Sequence, residues 1–256
     1  MLPVLTIFGH MISSNVVMIA IGYVAAVVVA LLRRKVYGLS VPEVLVGMVF
    51  AGVFELAGGT LMYALQDLPN FIALHEATGV GFLDYLINQA GMVFYGGFIG
   101  GILSVVVFSA LYKIPFWKAM DTFIPTQAIA HGFGRIGCFL GGCCYGIPFE
   151  YGVCLPATGW GDTPLFPVQL VEAACVFGLF AAMMYYGRVK RAPGRLLSLY
   201  LIGYGVIRFI LEFFRGDDYR GIYGIFSFSQ WISLALIAVG IFLVYRSERK
   251  TAGPAV

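Results

Sequence analysis

Arg135 stands in AHGFGRIGCFLGGCCYG, residues 130–146, where a permanent positive charge, His131 and the thiols of Cys138, Cys143 and Cys144 are set among glycines. A second charged group, Arg208, Glu212 and Arg215, occupies GYGVIRFILEFFRGDD at i, i+4 and i+7, so on a helix the three share one face. Guanidinium groups hold phosphate through paired hydrogen bonds. With Glu212 as the nearby carboxylate, Arg135, Arg208 and Arg215 leave positive charge over. An anionic substrate, and above all a phosphate head group, would complete the balance. A plainer reading pairs Glu212 with Arg208 for structure alone and lets Arg215 snorkel to the membrane surface.

His131 lies one helical turn before Arg135, so both could face one cavity, and an imidazole serves as a general base near neutral pH. A lone helical histidine is more often structural. FYGGFIGG, residues 94–101, places Tyr95 beside Gly96 and Gly97, where backbone could approach a lipid head group, although helix packing explains such glycines equally well. The cysteines fit no zinc spacing, for no C-x-x-C pair is present and adjacent cysteines seldom ligate one ion. They read as small packing residues, with a disulfide open to them if they face an oxidising exterior, or as a reactive thiolate beside Arg135. No metal, cofactor or nucleic-acid partner is expected.

The elements that must position these residues are membrane helices. Hydrophobic residues make up 60% of the 256, charged residues only 11%, and the mean hydropathy is +0.90. Ordinary soluble domains are about half apolar. A bilayer core takes about 20 apolar residues per spanning helix. Seven such runs are visible, near 16–32, 44–65, 90–112, 122–140, 167–187, 196–214 and 229–245. The fold class is therefore all-α and polytopic, a single domain over 1–256. Without Lys or Arg in its first fifteen residues or a small-residue cleavage site, the N-terminal segment reads as a retained anchor.

Arg33, Arg34, Lys35, Lys113, Lys118, Arg188, Lys190, Arg191, Arg195, Arg246, Arg249 and Lys250 all fall on alternate loops. The excess of Lys and Arg on cytoplasmic loops then puts the N-terminus outside and the C-terminus inside. Arg215 and Arg220 on the opposite side are offset by Asp217 and Asp218. Two outer segments, about 66–89 and 145–166, are long and carry prolines, among them Pro69, Pro148, Pro156 and Pro164. They are expected to form a small outward-facing cap. Pro125 and the glycines from Gly132 to Gly146 make the fourth span the least regular, read either as close helix packing through small residues or as a broken helix whose freed amides could meet an anion.

At these residues the chain resembles the prolipoprotein diacylglyceryl transferase family, integral membrane enzymes of bacteria with seven spans. The stretch GFGRIGCFLGGCCYG is similar to the family's Gly-Arg-x-Gly-Asn-Phe-x-Asn-x-Glu-x-x-Gly block through Gly134, Arg135, Gly137, Phe139, Gly142 and Gly146. LIGYGVIRFILEFFR is similar to the penultimate span through Tyr204, Gly205, Arg208, Glu212 and Arg215, and FPVQLVEA to the segment before the fifth through Pro167, Gln169 and Glu172. The resemblance implies transfer of the diacylglyceryl group of phosphatidylglycerol to the lipobox cysteine thiol of a preprolipoprotein, with release of glycerol phosphate, in the bacterial cytoplasmic membrane. It implies catalytic roles for Arg135, Arg208, Glu212, His131 and Tyr95. Substrate contacts would come from Gly96, Gly97, Gly134, Gly137, Cys138, Gln169, Tyr204 and Arg215.

The chain departs from the pattern where protons are handled. The family histidine of span three is Tyr95, the signature asparagine is Cys138, the signature glutamate is Cys143, the span-two arginine is Thr60, and a tyrosine of span one falls near Asn15. Two explanations follow: the same reaction with His131 or Tyr95 moving the proton, or a paralogue that keeps the phospholipid cradle and uses another acceptor or none. A transporter or binding protein for an anionic lipid or solute is the reading from another class. It would need paired interrupted helices related by symmetry, and the sequence offers one interrupted helix and no repeat.

Overall fold

A computed structural model describes residues 4–7, 10–88, 93–155, 161–216 and 222–251. Pro156, Asp217, Asp218, Arg220 and the first residues of the expected third span lie outside the described residues. In chain order come β1 (Val4–Ile7), β2 (His10–Ser13), α1 (Ser14–Tyr37), α2 (Val41–Gln66), α3 (Leu68–Thr78), α4 (Phe82–Asn88), α5 (Phe94–Tyr112) and α6 (Phe116–Gly141). There follow β3 (Pro148–Cys154), β4 (Pro164–Leu165), α7 (Val168–Tyr186), α8 (Arg195–Leu211), a 3₁₀ turn (Glu212–Phe214), β5 (Ile222–Tyr223), β6 (Phe226–Ser227) and α9 (Phe228–Thr251).

Among the described residues six helices, α1, α2, α5, α7, α8 with its 3₁₀ turn, and α9, are long and apolar enough to cross a membrane. The fourth expected span is α6, 26 residues long but less apolar because it carries Lys118, Asp121 and Arg135. Among the described residues the strands pair as two-stranded antiparallel ribbons, and the fold class is all-α and polytopic. Of the two long connecting segments, one holds α3 and α4 and the other the β3–β4 ribbon.

The chain divides into two compact units, Met1–Tyr37 with Asp121–Val256, and Gly38–Met120. In the second unit α2 begins at a complete capping box, with Ser40 and Glu43 each bonding the other's backbone. It packs closely along α5 because glycines face each other: a Cβ at Gly96 would strike Gly58 backbone and Met62. Close packing thus accounts for Gly96 without any ligand. Gly97 is less crowded, 3.4 Å from the Glu55 carbonyl by the same measure.

In the first unit α6 runs unbroken through Pro125 and past Gly132, Gly134 and Gly137. Proline lacks the N–H that would bond the carbonyl four residues back. That orphaned acceptor, Asp121 O, is taken instead by Arg33 Nη2 at 3.0 Å. Arg33 Nη1 also donates to Gly187 O at 3.3 Å, and Asp121 Oδ2 accepts Gly194 N–H at 2.9 Å. Arg33, expected among the loop cations, is therefore buried and ties the end of α1 to α6 and to the segment between α7 and α8. The interruption in α6 comes at its C-terminus, where dipole and free carbonyls favour cations, so the expected amide-lined anion site at a broken helix is corrected.

Candidate active site

Why α6 ends at Gly141 follows from its capping. Gly142 adopts φ +75°, a left-handed conformation open to glycine at little cost. Its N–H bonds Phe139 O at 3.2 Å, and Cys143 N–H bonds Cys138 O at 3.1 Å, the paired bonds of a Schellman motif. That motif juxtaposes the side chains at its two ends, here Cys138 and Cys143. Cys144 follows with φ +60°, uncommon for a residue with a Cβ. The sulfur atoms of Cys138, Cys143 and Cys144 consequently lie within 4.8 Å of one another.

The loop beyond is fastened from two directions. Gln169, fully buried at the start of α7, donates from Nε2 to Cys143 O at 2.8 Å. Ile147 N–H bonds Phe214 O at 3.0 Å and Gly216 N–H bonds Tyr145 O at 3.1 Å, so Gly146 and Arg215 lie opposite each other in a short antiparallel bridge. A Cβ at Gly146 would meet the carbonyls of Phe166 and Phe214, which is why glycine is required.

One turn before Cys138, Arg135 reaches Glu172 of α7, Nη2 to Oε1 at 2.9 Å. His131 Nε2 lies 3.6 Å from the same oxygen, and its ring packs edge-on to Tyr204 at 4.9 Å. Glu172 is fully buried, and the charges of Arg135, Arg208 and Arg215 all act on it. Arg208, 3% exposed, pairs with Glu212 at 2.5 Å and donates to Ser229 Oγ at 3.2 Å. Ser227 Oγ donates to the other Glu212 oxygen at 2.8 Å, fixing the carboxylate.

The first unit thus brings together Arg135, His131, Arg208, Glu212, Arg215, Tyr204, Gln169 and Cys138. Tyr95, Gly96 and Gly97 belong to the second unit. Gly134 faces open space, since a Cβ there would meet nothing within 4 Å among the described residues, whereas one at Gly137 would lie 2.6 Å from Asn15 Oδ1. Sequence reasoning missed Glu172 as a member of the charged cluster, although FPVQLVEA contains it. With it the three arginines face two carboxylates, and the surplus is smaller than the sequence implied, yet still positive. Arg208 Nη1 and Arg135 Nε are buried donors that find no acceptor among the described residues.

A family model described as prolipoprotein diacylglyceryl transferase matches residues 3–246. The chain belongs to that family. It is 39% identical over 249 residues to the phosphatidylglycerol–prolipoprotein diacylglyceryl transferase of Clostridium tetani, covering 95% of this chain and 96% of the relative. The Clostridium perfringens protein of that name, numbered 2, is 32% identical across 93% of this chain and 91% of its own length. The Nitrosomonas europaea protein is 33% identical across 87% and 80%. Membership of this family sets the charged cluster and the α6 terminus in one transferase scaffold.

Proposed function

We propose that the chain transfers the diacylglyceryl group of phosphatidylglycerol to the lipobox cysteine of a preprolipoprotein and releases glycerol phosphate. Its place is the bacterial cytoplasmic membrane, with the N-terminus outside and the C-terminus in the cytoplasm. The names of the relatives support the two substrates, and the observation that carries the reading here is the pair of unsatisfied buried donors on Arg135 and Arg208. Both guanidiniums are already oriented by carboxylates, so they need not reorganise when a phosphodiester arrives.

In the reaction the acceptor sulfur attacks the glyceryl methylene carbon, and the carbon–oxygen bond to phosphate breaks with its electron pair on oxygen. Charge gathers on the phosphate. Arg135 and Arg208 stabilise it in a site shielded from water, where fixed charges act most strongly. Glu172 and Glu212 hold the arginines, and Arg215 adds positive potential. An ordinary thiol has a pKa of roughly 8.5, so its proton must be removed. His131, set by Glu172 and Tyr204, accepts it in this proposal.

The test is incubation of the purified protein in lipid with radiolabelled phosphatidylglycerol and a lipobox peptide. Thioether product and free glycerol phosphate above an Arg135→Ala control support the reading. Phosphate release without labelled peptide assigns a different acceptor, and neither product removes the transferase reading.

A further inference from the structure

The geometry points to a thiophilic divalent cation, zinc by its chemistry, held by Cys138, Cys143 and Cys144 with its fourth position open to the acceptor cysteine. This rests on the transferase reading for the identity of that acceptor, but the site itself rests on the thiols. Spacing alone suggested packing residues; the helix cap reverses that. The Schellman turn folds Cys143 back on Cys138, and the left-handed Cys144 brings in the third sulfur.

The distances decide between chance proximity and a site. Zinc–sulfur bonds of about 2.3 Å at tetrahedral angles put ligand sulfurs roughly 3.8 Å apart. Three sulfurs already within 4.8 Å of one another need to close by at most about an ångström, a rotation of side chains and no movement of backbone. Left-handed backbone at a residue with a Cβ is strained and persists where the surroundings enforce it. Here the conformation is what delivers the third sulfur.

Electrostatics agree. The C-terminal end of α6 carries the negative pole of the helix, which favours a cation. Arg135 and Arg215 act on Cys144, so the net negative charge of three thiolates around a divalent ion has compensation at hand. Soft thiolate sets select zinc, and related soft ions, over magnesium or calcium. Three protein ligands with one position free is the arrangement of catalytic rather than structural zinc.

The open position gives this chain a way to replace the proton-handling side chains its family pattern lacks. A thiol bound to zinc is deprotonated on binding. The acceptor S–H is exchanged for a sulfur–metal bond, and its proton passes by water to His131. The coordinated sulfur forms the carbon–sulfur bond while the carbon–oxygen bond to phosphate breaks, and the thioether, a poorer ligand, leaves the metal. The cation is not consumed. Arg135, one helical turn from Cys138, stands where the departing phosphate collects charge.

The experiment uses full-length protein in lipid nanodiscs under a non-thiol reductant, titrated with Cd²⁺ alone as a spectroscopic stand-in. One Cd²⁺ per chain with the charge-transfer absorbance of three thiolates is expected. A further rise of about one third should follow on adding a lipobox peptide, and none with its Cys→Ser counterpart. Cys144→Gly, which suits the left-handed backbone, keeps the fold and should weaken Cd²⁺ binding at least about a hundredfold, since even indirect supporting contacts are worth 10–100-fold. Cys175→Ser, on the exposed side of α7, should change nothing. Absence of the three-thiolate signal, or wild-type binding by Cys144→Gly, overturns the site; a signal that ignores the peptide overturns the open position. Transfer measured on the same samples separates the two readings. A fourth thiolate without thioether product leaves the metal site standing and removes the transferase assignment, whereas transfer that survives chelation of the cation overturns its activating role.

Discussion

The carboxylate of Glu172 on α7 receives Arg135 of α6 at 2.9 Å while lying fully out of contact with solvent. Breaking a buried pair by removing one partner strands the other charge and costs about 3–5 kcal/mol. Glu172→Ala should therefore lower the thermal melting point in detergent by many degrees. Glu172→Gln keeps the shape and one acceptor oxygen, so it should remain folded and lose activity instead, by a hundredfold or so if Arg135 drifts from the phosphate. Wild-type turnover in Glu172→Gln would show that the carboxylate does not orient Arg135.

Arg208 tests the phosphate cradle directly. Its guanidinium is fixed by Glu212 and Ser229, and its Nη1 meets no acceptor among the described residues. Arg208→Ala should abolish turnover. Arg208→Lys keeps the charge and loses the planar fork, so it should recover only a small part of the rate. Ser229→Ala removes one hydrogen bond to a charged group, worth about 1.5–3 kcal/mol, and should lower kcat/KM at least about tenfold. Full activity in Arg208→Ala, measured as glycerol phosphate release, would sink the assignment.

His131 is tested by the pH profile. A neutral imidazole can take the acceptor's proton directly, so His131→Gln should lower the rate by about 10²–10⁴-fold at every pH where wild type is active. A variant whose profile matches wild type at every pH excludes His131 from proton transfer and leaves it as the edge-on neighbour of Tyr204.

How much of this could be read from residue order depends on the range of the interaction. Membrane helices announce themselves through runs of apolar residues, and the Arg208–Glu212 pair follows from a spacing of four on a helix. Pairs between helices leave no such mark: nothing in the order of residues places Glu172 beside Arg135. The unbroken course of α6 was hidden for a related reason, because the acceptor freed by Pro125 is satisfied by Arg33, distant in sequence. For the thiols a local signal did exist. Glycine at 142 with cysteines at 138 and 143 is the spacing of a Schellman cap, and zinc-motif spacings do not include it.

Gly137 offers a test of how tightly α6 must sit on α1. A methyl group there would come within 2.6 Å of Asn15 Oδ1 and 3.2 Å of both Asn15 Cα and Met18 Cβ. The first contact is with a side chain that can be removed, the second with backbone that cannot. Gly137→Ala alone should cost about 1–3 kcal/mol, the usual penalty of overpacking, seen as a lower melting point together with reduced transfer, because Arg135 rides on the same helix. Adding Asn15→Ala removes the closest atom and should restore part of the loss, leaving the strain against Cα. The two substitutions are therefore expected to be non-additive, with a coupling of at least about 0.5 kcal/mol. Strict additivity in the melting points would mean that α1 yields freely at this position, and that the glycine is not what sets the height of Arg135 in the site.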